Sequence, residues 1–249
     1  MDLQLLQREW ERDPDATIKR LEGVPGGTQA LVGMLRDACA RDGLFWLKFV
    51  LTRDEADPRH SVKPFPLHLD YLRELWDVFL GRPLVVVAKS RQMLVSWVVA
   101  AFCVWTARSK PHQAIYWQAQ KDKDAIAMVS LPKGGVQGRC QFIETHLPTW
   151  LQEPVETLSG RLVYPNGSFI EALAGGADQI RGKVFSVYVG DEFAHQDDQS
   201  GVYTSVAPLI QKGSKAILVS TPNGSQNLFA TLYHGRPVTE GAVSVGMSP

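Results

Sequence analysis

Short apolar runs alternate with amphipathic stretches along most of this chain. The run LVVVA at 84–88 is continuous and β-branched, which is typical of a parallel strand that is covered on both faces. Similar runs at Ala114–Trp117, Phe185–Val189 and Ala216–Val219 predict three more core strands. Strands that alternate with helices predict an α/β fold, in which helices flank a mostly parallel central sheet.

Helical periodicity fills the intervals between these runs. A helix is predicted over Thr28–Ala40, and a second helix that starts near Pro66 is expected to end at Gly81. The apolar stretch Met93–Trp105 predicts a buried helix, because it is too short to span a bilayer. Further helices are predicted near 121–130, 140–151 and 201–211.

One β-hairpin is expected between the second and third core strands. The segment RLVYPNGSFIEAL places two strand-like runs on either side of Pro165-Asn166-Gly167. Proline, asparagine and glycine in succession favour a tight turn. The sequence also has no repeat with a period of 20 to 50 residues, so a solenoid or propeller is not predicted.

The composition narrows the class of protein. The 249 residues are 45% hydrophobic, and 26 basic residues balance 26 acidic ones, which excludes intrinsic disorder and a coiled-coil fibre. Zero net charge argues against a strongly basic nucleic-acid coat but leaves room for a local basic patch. Cys39, Cys103 and Cys140 lack the spacing of a zinc site or disulfide framework. The charged N-terminal stretch has no apolar core of an export signal, so we expect a reduced, intracellular protein.

A candidate phosphate-binding loop follows the strand at 84–88. Such a loop joins a buried strand to a helix, and it carries a lysine for the phosphates and a Ser or Thr for Mg²⁺. When Ser96 is set on the last position of G-x-x-x-x-G-K-[ST], the glycines fall on Lys89 and Leu94 and the lysine falls on Val95. The strict pattern therefore fails, but Lys89 can reach phosphates from the other end of the loop, with Arg91 as a second cation. The alternative is a strand-turn-helix whose basic residues are only solvated.

Two adjacent carboxylates follow the third core strand. In VFSVYVGDEFA, Asp191 and Glu192 are expected at the carboxyl end of a parallel strand, where α/β proteins bind ligands. An aspartate there can hold hydrated Mg²⁺, and an adjacent glutamate can orient and deprotonate a water molecule. The alternative is an ordinary helix N-terminus with acidic residues in its first turn. The nearby Asp197 and Asp198 are expected to cap the next helix.

Two further segments are candidates for the same site. Arg181 follows a Gly-rich turn and can stabilise charge on a transferring phosphoryl group in its own or a neighbouring subunit, or it can simply pair with Asp178. The segment ILVSTPNG ends a core strand with Ser220, Thr221 and Asn223. These polar groups can sense a γ-phosphate and pass its presence through a hinge, although an ordinary turn is equally consistent with the residues.

This ordered set of motifs resembles the ATPase domain of the large terminase subunit of tailed phages, the DNA-packaging motor. SRQ, IRG, VYVGDE and STPNG occur in that order over roughly residues 65–235. The resemblance implies an additional-strand, RecA-like P-loop ATPase fold, with ATP and Mg²⁺ and with double-stranded DNA as the translocated substrate. It divides the chain into a helical N-terminal lead-in (1–60) and a motor domain (61–249). Related subunits continue into a nuclease domain, which we expect this chain to lack.

The resemblance also assigns roles to residues. Asp191 matches the metal-coordinating aspartate, Glu192 the general base, and Arg181 an arginine proposed as a sensor or finger. Lys89 is expected to act both in catalysis and in phosphate binding, and Ser96 to bind the metal as well. The nucleotide-contacting set is Lys89, Ser90, Arg91, Gln92, Met93, Leu94, Val95, Ser96, Ser220, Thr221 and Asn223.

An adenine-contacting segment is expected at Phe65, Pro66 and His68, where the family often ends this motif in Gln. Its partners are implied by the resemblance alone: other copies of the subunit in a ring on the portal, the portal protein, and the small terminase subunit. Binding of double-stranded DNA by this domain alone is expected to be feeble, and no membrane is implied. The expected location is the host cytoplasm and not the mature virion.

Two rival functions fit the same residues. The first is a helicase-like nucleic-acid translocase, but such enzymes normally carry two tandem motor domains and only one phosphate loop is visible here. The second is a catalytically weak nucleotide-binding module whose loop lost Gly-Lys. Measurements of ATP binding and turnover separate these alternatives.

Overall fold

The fold is described by a computed structural model of the chain. It describes residues 8–10, 12, 13, 16, 17, 19, 20, 24, 26–54, 57, 61–90, 93–131 and 136–235, with the backbone of 242–246. The predicted site residues Arg91 and Gln92 lie outside the described residues. Among the described helices, none combines the length and apolar character that crossing a membrane requires.

The secondary structure alternates between helices and strands over most of its length. The helices are α1 (Gly27–Arg41), α2 (Gly43–Leu47), α3 (Asp70–Gly81), α4 (Val95–Ser109), α5 (Asp122–Val129), α6 (Arg139–His146), α7 (Ala177–Ile180), α8 (Gln199–Gln211) and α9 (Leu228–Tyr233). The strands are β1 (Leu51–Arg53), β2 (Val62–Pro64), β3 (Leu84–Ala88), β4 (Ala114–Gln118), β5 (Glu156–Leu158), β6 (Arg161–Val163), β7 (Phe169–Leu173), β8 (Val187–Asp191), β9 (Lys215–Ser220) and β10 (Ala242–Gly246). A short 3₁₀ turn spans Phe193–His195.

The central sheet has eight strands in the order β10-β3-β9-β8-β4-β7-β6-β5. The strands from β10 to β7 are parallel, and β6 and β5 continue the sheet in antiparallel pairs. The predicted α/β class with a mostly parallel sheet is confirmed. Strand β9 lies between β3 and β8, so an additional strand separates the strand before the phosphate loop from the strand that ends in the acidic pair.

Apolar side chains cover both faces of this sheet. Successive residues of a strand point to opposite faces, and along β3 Val85 and Val87 join one core while Leu84 and Val86 join the other. All four side chains are at most 1% exposed. A strand buried on both faces needs a continuous apolar run, which is why LVVVA was a strong signal in the sequence.

Each predicted helix and strand is present, although some of their ends differ and several short elements were not predicted. The hairpin around Pro165-Asn166-Gly167 is confirmed as the antiparallel pair β6 and β7. Helix α6 stops at His146, before the predicted 151, because Pro148 disfavours helical backbone at the residue before it. Strand β8 begins at Val187, two residues later than predicted. The strands β1, β2, β5 and β10 and the helices α2, α7 and α9 had no counterpart in the sequence prediction.

The N-terminal helices α1 and α2 pack into the same hydrophobic core as one face of the central sheet. The rings of Trp46 on α2 and Trp76 on α3 lie 6.5 Å apart, and both side chains are at most 1% exposed. The indole of Trp105 donates a hydrogen bond of 2.8 Å to the carbonyl of Cys39. Burial raises the pKa of the Cys39 thiol to about 12, so this cysteine is an unreactive core residue. The predicted domain boundary near residue 60 stays a prediction.

Candidate functional site

The predicted site residues converge at the carboxyl ends of three neighbouring strands. Lys89 follows β3, Glu192 follows β8, and Thr221 follows β9. The Lys89 backbone N–H donates to the Ser220 carbonyl across the two strands at 3.0 Å. This edge of a parallel sheet is where α/β proteins place their ligands, because the connecting loops there are free to vary.

The Glu192 carboxylate is the centre of the site. Its Oε1 accepts a hydrogen bond from Lys89 Nζ at 3.1 Å. Its Oε2 accepts from the Thr221 N–H at 3.0 Å and from the Thr221 hydroxyl at 2.9 Å, and it lies 3.3 Å from the Ser220 hydroxyl. One carboxylate therefore bridges the phosphate-loop lysine and the first residues of STPNG, three parts of the chain that lie far apart in the sequence.

These contacts hold Glu192 as an anion. Partial burial acts to raise the pKa of its carboxyl, but the Lys89 charge and the hydrogen bonds from Thr221 outweigh this, and the pKa is lower than that of an ordinary glutamate. The backbone of Glu192 takes the left-handed conformation with φ of 43°. A non-glycine residue holds this conformation only where its surroundings enforce it, as functional sites often do.

Asp191 sits one residue earlier in a different environment. Its side chain is only 5% exposed, and one carboxylate oxygen accepts the Glu192 backbone N–H at 3.1 Å. Burial raises the pKa of this carboxyl, Lys89 lowers it, and the neighbouring Glu192 raises it further. The two adjacent carboxylates therefore have different surroundings. Glu192 is exposed enough to contact water, whereas Asp191 is enclosed.

The candidate phosphate loop has Leu94 and Val95 at the positions where the strict pattern has glycine and lysine. Leu94 occupies the position of the second glycine and takes the left-handed conformation with φ of 55°. Val95 occupies the position where the strict pattern has lysine. Its side chain is 1% exposed and packs in the hydrophobic core, so this position supplies no cation. The cation that pairs with Glu192 is Lys89, at the other end of the loop. Ser96 lies in the first turn of α4, half-buried, and Ser90 follows Lys89.

Tyr71, which was not predicted as a site residue, forms a hydrogen bond to this loop. The Tyr71 hydroxyl on α3 donates a hydrogen bond of 3.1 Å to the Met93 carbonyl. The bond joins α3 to the loop. The segment of Phe65, Pro66 and His68 precedes the same helix, which begins at Asp70. Phe65 itself is buried in the core at 5% exposure, whereas His68 is exposed.

Comparison with solved structures agrees with this geometry. The chain superposes on the large terminase ATPase domain of Thermus phage P74-26 with a TM-score of 0.51 and 16% identity, over 68% of this chain and 77% of that one. It superposes on the large terminase of bacteriophage HK97 with a TM-score of 0.59 and 14% identity, over 82% of this chain and 43% of that one. This chain has the large-terminase ATPase fold. No model of a known protein family matches the sequence.

Asn223 and Arg181, two further residues of the predicted site, differ in their positions. Asn223 is held in the site, since its side-chain amide donates to the Ala194 carbonyl at 3.0 Å. Arg181 is not: it pairs with Asp178 at 2.9 Å, and their side chains are 68% and 85% exposed. It follows α7, on the connection between β7 and β8, and among the described residues it forms no hydrogen bond or ion pair with Lys89, Glu192 or Thr221.

His195 and Gln196 belong to the site but were not predicted from the sequence. His195 Nε2 lies 3.1 Å from the Thr221 hydroxyl, which donates its own proton to Glu192, so the imidazole N–H is the donor. Gln196 is 3% exposed and donates to the Asp191 carbonyl, and its Oε1 has no partner among the described residues. A polar cavity of 530 Å³ opens beside them, towards Asn223. His195 and Gln196 lie three and four residues after Glu192, so their proximity to the acidic pair was the available signal in the sequence.

The acidic residues beyond the site play the expected local role in part. Asp198 caps α8, because its side chain accepts a hydrogen bond from the Gly201 N–H at 3.0 Å. Asp197 instead accepts from the Gln120 amide at 3.4 Å. Neither residue contacts the Glu192 carboxylate within the described part of the chain.

Proposed function

We propose that this chain is the ATPase domain of a viral DNA-packaging terminase large subunit, which hydrolyses ATP with Mg²⁺ to move double-stranded DNA into a procapsid. The observation that carries the proposal is the Glu192 carboxylate, bonded at once to Lys89 and to Thr221. A general base that is tied to both the phosphate lysine and the coupling segment can link hydrolysis to movement. The shared fold supports the same assignment.

Lys89 and Glu192 would exchange partners when ATP binds. The triphosphate is a stronger anion than one carboxylate, so the Lys89 ammonium turns to the β- and γ-phosphates and leaves Glu192 Oε1. The freed oxygen then accepts a hydrogen bond from a water molecule. As the water oxygen attacks the γ-phosphorus in line, Glu192 takes its proton and ADP departs with the electrons of the broken P–O bond.

Asp191 and Ser96 are the residues that would hold Mg²⁺. Within the described residues, no cluster of three metal-binding side chains exists, which fits an ion that is held by one or two protein oxygens together with phosphates and water. Asp191 uses one carboxylate oxygen for the Glu192 N–H, and no described residue bonds the other. Bound Mg²⁺ would offset negative charge on the phosphate oxygens.

The STPNG segment would carry the signal of hydrolysis. Thr221 binds Glu192 Oε2 through two hydrogen bonds, and Asn223 binds the carbonyl of Ala194 in the turn after the acidic pair. A displacement of Glu192 would therefore pull on β9 and on the loop that follows it. Such short bonded connections are how a change at a γ-phosphate reaches distant elements.

Arg181 would act on the site of a neighbouring subunit. Within the described residues its exposed side chain pairs with Asp178 and forms no hydrogen bond or ion pair with Lys89 or Glu192, so it is available to another chain. A ring on the portal would bring this arginine towards the next subunit. The other partners in this proposal are the portal protein and the small terminase subunit, in the host cytoplasm and outside the mature virion.

The test is ATP turnover by the 249-residue chain. We expect phosphate release that requires Mg²⁺ and that stops with EDTA. We also expect weak DNA binding, with a Kd in the non-specific range of about 10⁻⁴ to 10⁻⁶ M. Unwinding of a forked duplex would favour the helicase-like translocase instead. A folded chain that neither binds nor hydrolyses ATP would identify a module without catalysis and would refute the proposal.

A further inference from the structure

A second polar recess lies at the opposite edge of the sheet, where the parallel strands begin. It has a volume of 350 Å³, and its floor is apolar, formed by the buried side chains of Phe102, Phe185 and Val187. Strand β9 is six residues long, so this edge is about 16 Å from the Glu192 site. The recess is therefore separate from the nucleotide site.

Three lysines surround this recess. Lys110 follows α4, Lys212 follows α8, and Lys215 begins β9. Within the described part of the chain, no acidic side chain forms an ion pair with any of them. Lys215 Nζ donates to the backbone carbonyl of Arg82, which leaves its charge uncompensated. Burial and the nearby Lys110 lower the pKa of Lys215 to about 8, as expected for cations crowded without an anion.

A buried hydroxyl faces the same recess. Thr106 lies on α4, one turn before Lys110, and is 3% exposed. A helical threonine usually donates to the carbonyl four residues earlier, but the Thr106 hydroxyl has no partner among the described residues. Leaving a buried hydroxyl without a partner costs free energy, which a bound acceptor would recover.

Helix ends explain only part of this arrangement. Lys110 and Lys212 are the residues that follow α4 and α8, where the negative end of the helix dipole favours a cation. That effect accounts for neither the partly buried Lys215 nor the unpaired hydroxyl of Thr106. Both are accounted for by an anion with several acceptor oxygens seated between them.

We propose that this recess binds a phosphate group, with Lys110, Lys212 and Lys215 as the cationic contacts and the Thr106 hydroxyl as a neutral donor. The four donors lie on different sides of the recess, and the tetrahedrally arranged oxygens of a phosphate can accept from several sides at once. The volume also admits the small molecule that carries the phosphate. The phosphate belongs either to a free small molecule or to a nucleic-acid backbone, and the experiment separates these sources.

The experiment follows each lysine of the full chain by NMR after ¹³C-methylation, with Lys→Arg variants to assign the signals. Millimolar inorganic phosphate is expected to shift the signals of Lys110, Lys212 and Lys215, and to raise the pKa of Lys215, whereas chloride at equal ionic strength does not. A non-hydrolysable ATP analogue at micromolar concentration is expected to move Lys89 before the three recess lysines, because the nucleotide site also contacts the rest of the nucleotide. The two sites are thereby read separately, so failure of one proposal leaves the other standing.

Substitutions test the same contacts. Lys110→Gln with Lys212→Gln should weaken phosphate binding at Lys215 about tenfold or more, because charge-assisted hydrogen bonds are lost. Lys48→Gln with Lys123→Gln removes the same charge from exposed positions outside the recess and should leave binding unchanged. The wild-type titration needs no variant, so misfolding of the double substitution does not remove the test.

The outcomes are distinct. Shifts produced by a short DNA duplex, and reversed by phosphate, would identify a nucleic-acid backbone as the source. Shifts produced by phosphate alone would identify a free phosphorylated ligand. Stronger binding of a poly-aspartate peptide than of phosphate would overturn the proposal in favour of an acidic protein segment. Equal phosphate responses in both double variants, or no response in the wild type, would also overturn it.

Discussion

Two ion pairs in this molecule use similar charges in different surroundings. Arg108 Nη1 lies 2.7 Å from Glu144 Oε2, and the two side chains are 6% and 7% exposed. Lys89 Nζ lies 3.1 Å from Glu192 Oε1, and there the side chains are 12% and 40% exposed. The first pair lies between helices of the core, and the second pair lies at the end of the sheet, where its carboxylate meets solvent.

The difference in burial suits the Arg108–Glu144 pair to a structural role and the Lys89–Glu192 pair to an exchange of partners. Arg108 also donates to the Leu151 carbonyl and lies 3.3 Å from Glu153, so its planar guanidinium is bonded on several sides. Lys89 is a flexible point charge, and its partner Glu192 is held in a left-handed backbone conformation. A buried pair whose cation has several partners resists exchange, whereas a half-exposed pair can yield to a stronger anion.

The largest expected effect is on turnover, at the exchangeable pair. Glu192→Gln keeps the shape of the side chain but cannot take a proton from water, so kcat should fall by about 10³-fold. ATP binding should persist, as measured by fluorescence of a labelled nucleotide. Glu156→Gln, on the exposed strand β5, is the matched control and should turn over like the wild type. Unchanged turnover in Glu192→Gln would rule out Glu192 as the base.

The next largest effect is on stability, at the closed pair. Arg108→Ala leaves the Glu144 carboxylate buried without its cation, and it should lower the free energy of unfolding by about 3–5 kcal/mol. Replacement of both residues, Arg108→Met with Glu144→Leu, should cost less than the single change, because no buried charge remains. Urea denaturation measures both. A single variant as stable as the wild type would show that the pair is not structural.

The third prediction concerns the displaced lysine. Lys89→Ala removes the cation expected to meet the phosphates, so ATP affinity should fall by about 10- to 100-fold. Its effect on unfolding should be smaller than that of Arg108→Ala, because Glu192 is partly solvated. Lys123→Ala, on the exposed surface of α5, serves as the control. Retained nucleotide binding and hydrolysis would refute the role of Lys89.

A smaller effect is expected at His195, which acts on Glu192 through the Thr221 hydroxyl. His195→Ala removes one hydrogen bond to Thr221, so kcat should drop by roughly fivefold while KM stays constant. His195→Gln places an amide N–H in reach of the same oxygen and should restore most of the loss. Equal losses in both variants, or a change in KM alone, would contradict a positioning role.

The sequence predicts the sheet well because its central strands are buried on both faces. Such strands must be continuous apolar runs, and β3, β4, β8 and β9 were all found in this way. The strands β1 and β2 are three residues each and pair only with one another, so no buried face marks them in the sequence. Pairing of β10 with β3 is a long-range contact that local pattern does not encode.

The sequence motifs predicted which residues belong to the candidate site. They did not predict which of these residues contact one another. DE and STPNG were found as separate motifs, but only the fold brings Thr221 within 2.9 Å of Glu192. The loop motif fails on identity at Leu94 and Val95, yet Leu94 keeps the left-handed backbone that glycine usually supplies. Backbone conformation of this kind is fixed by the packing around the loop and is not visible in the residue pattern.

The smallest expected effect is the pH dependence of the exchangeable pair. Lys89 and Thr221 hold the pKa of Glu192 below its ordinary value, so the folded chain binds fewer protons than the unfolded chain near pH 4. The stabilisation by Glu192 is therefore complete above the pKa of an unfolded glutamate and is lost as pH falls through the folded pKa. Glu192 is 40% exposed, so the pH-dependent part should be less than about 1 kcal/mol. In urea denaturation, the stability gap between wild type and Glu192→Gln should shrink between pH 7 and pH 4, and a gap that widens would contradict the ion pair.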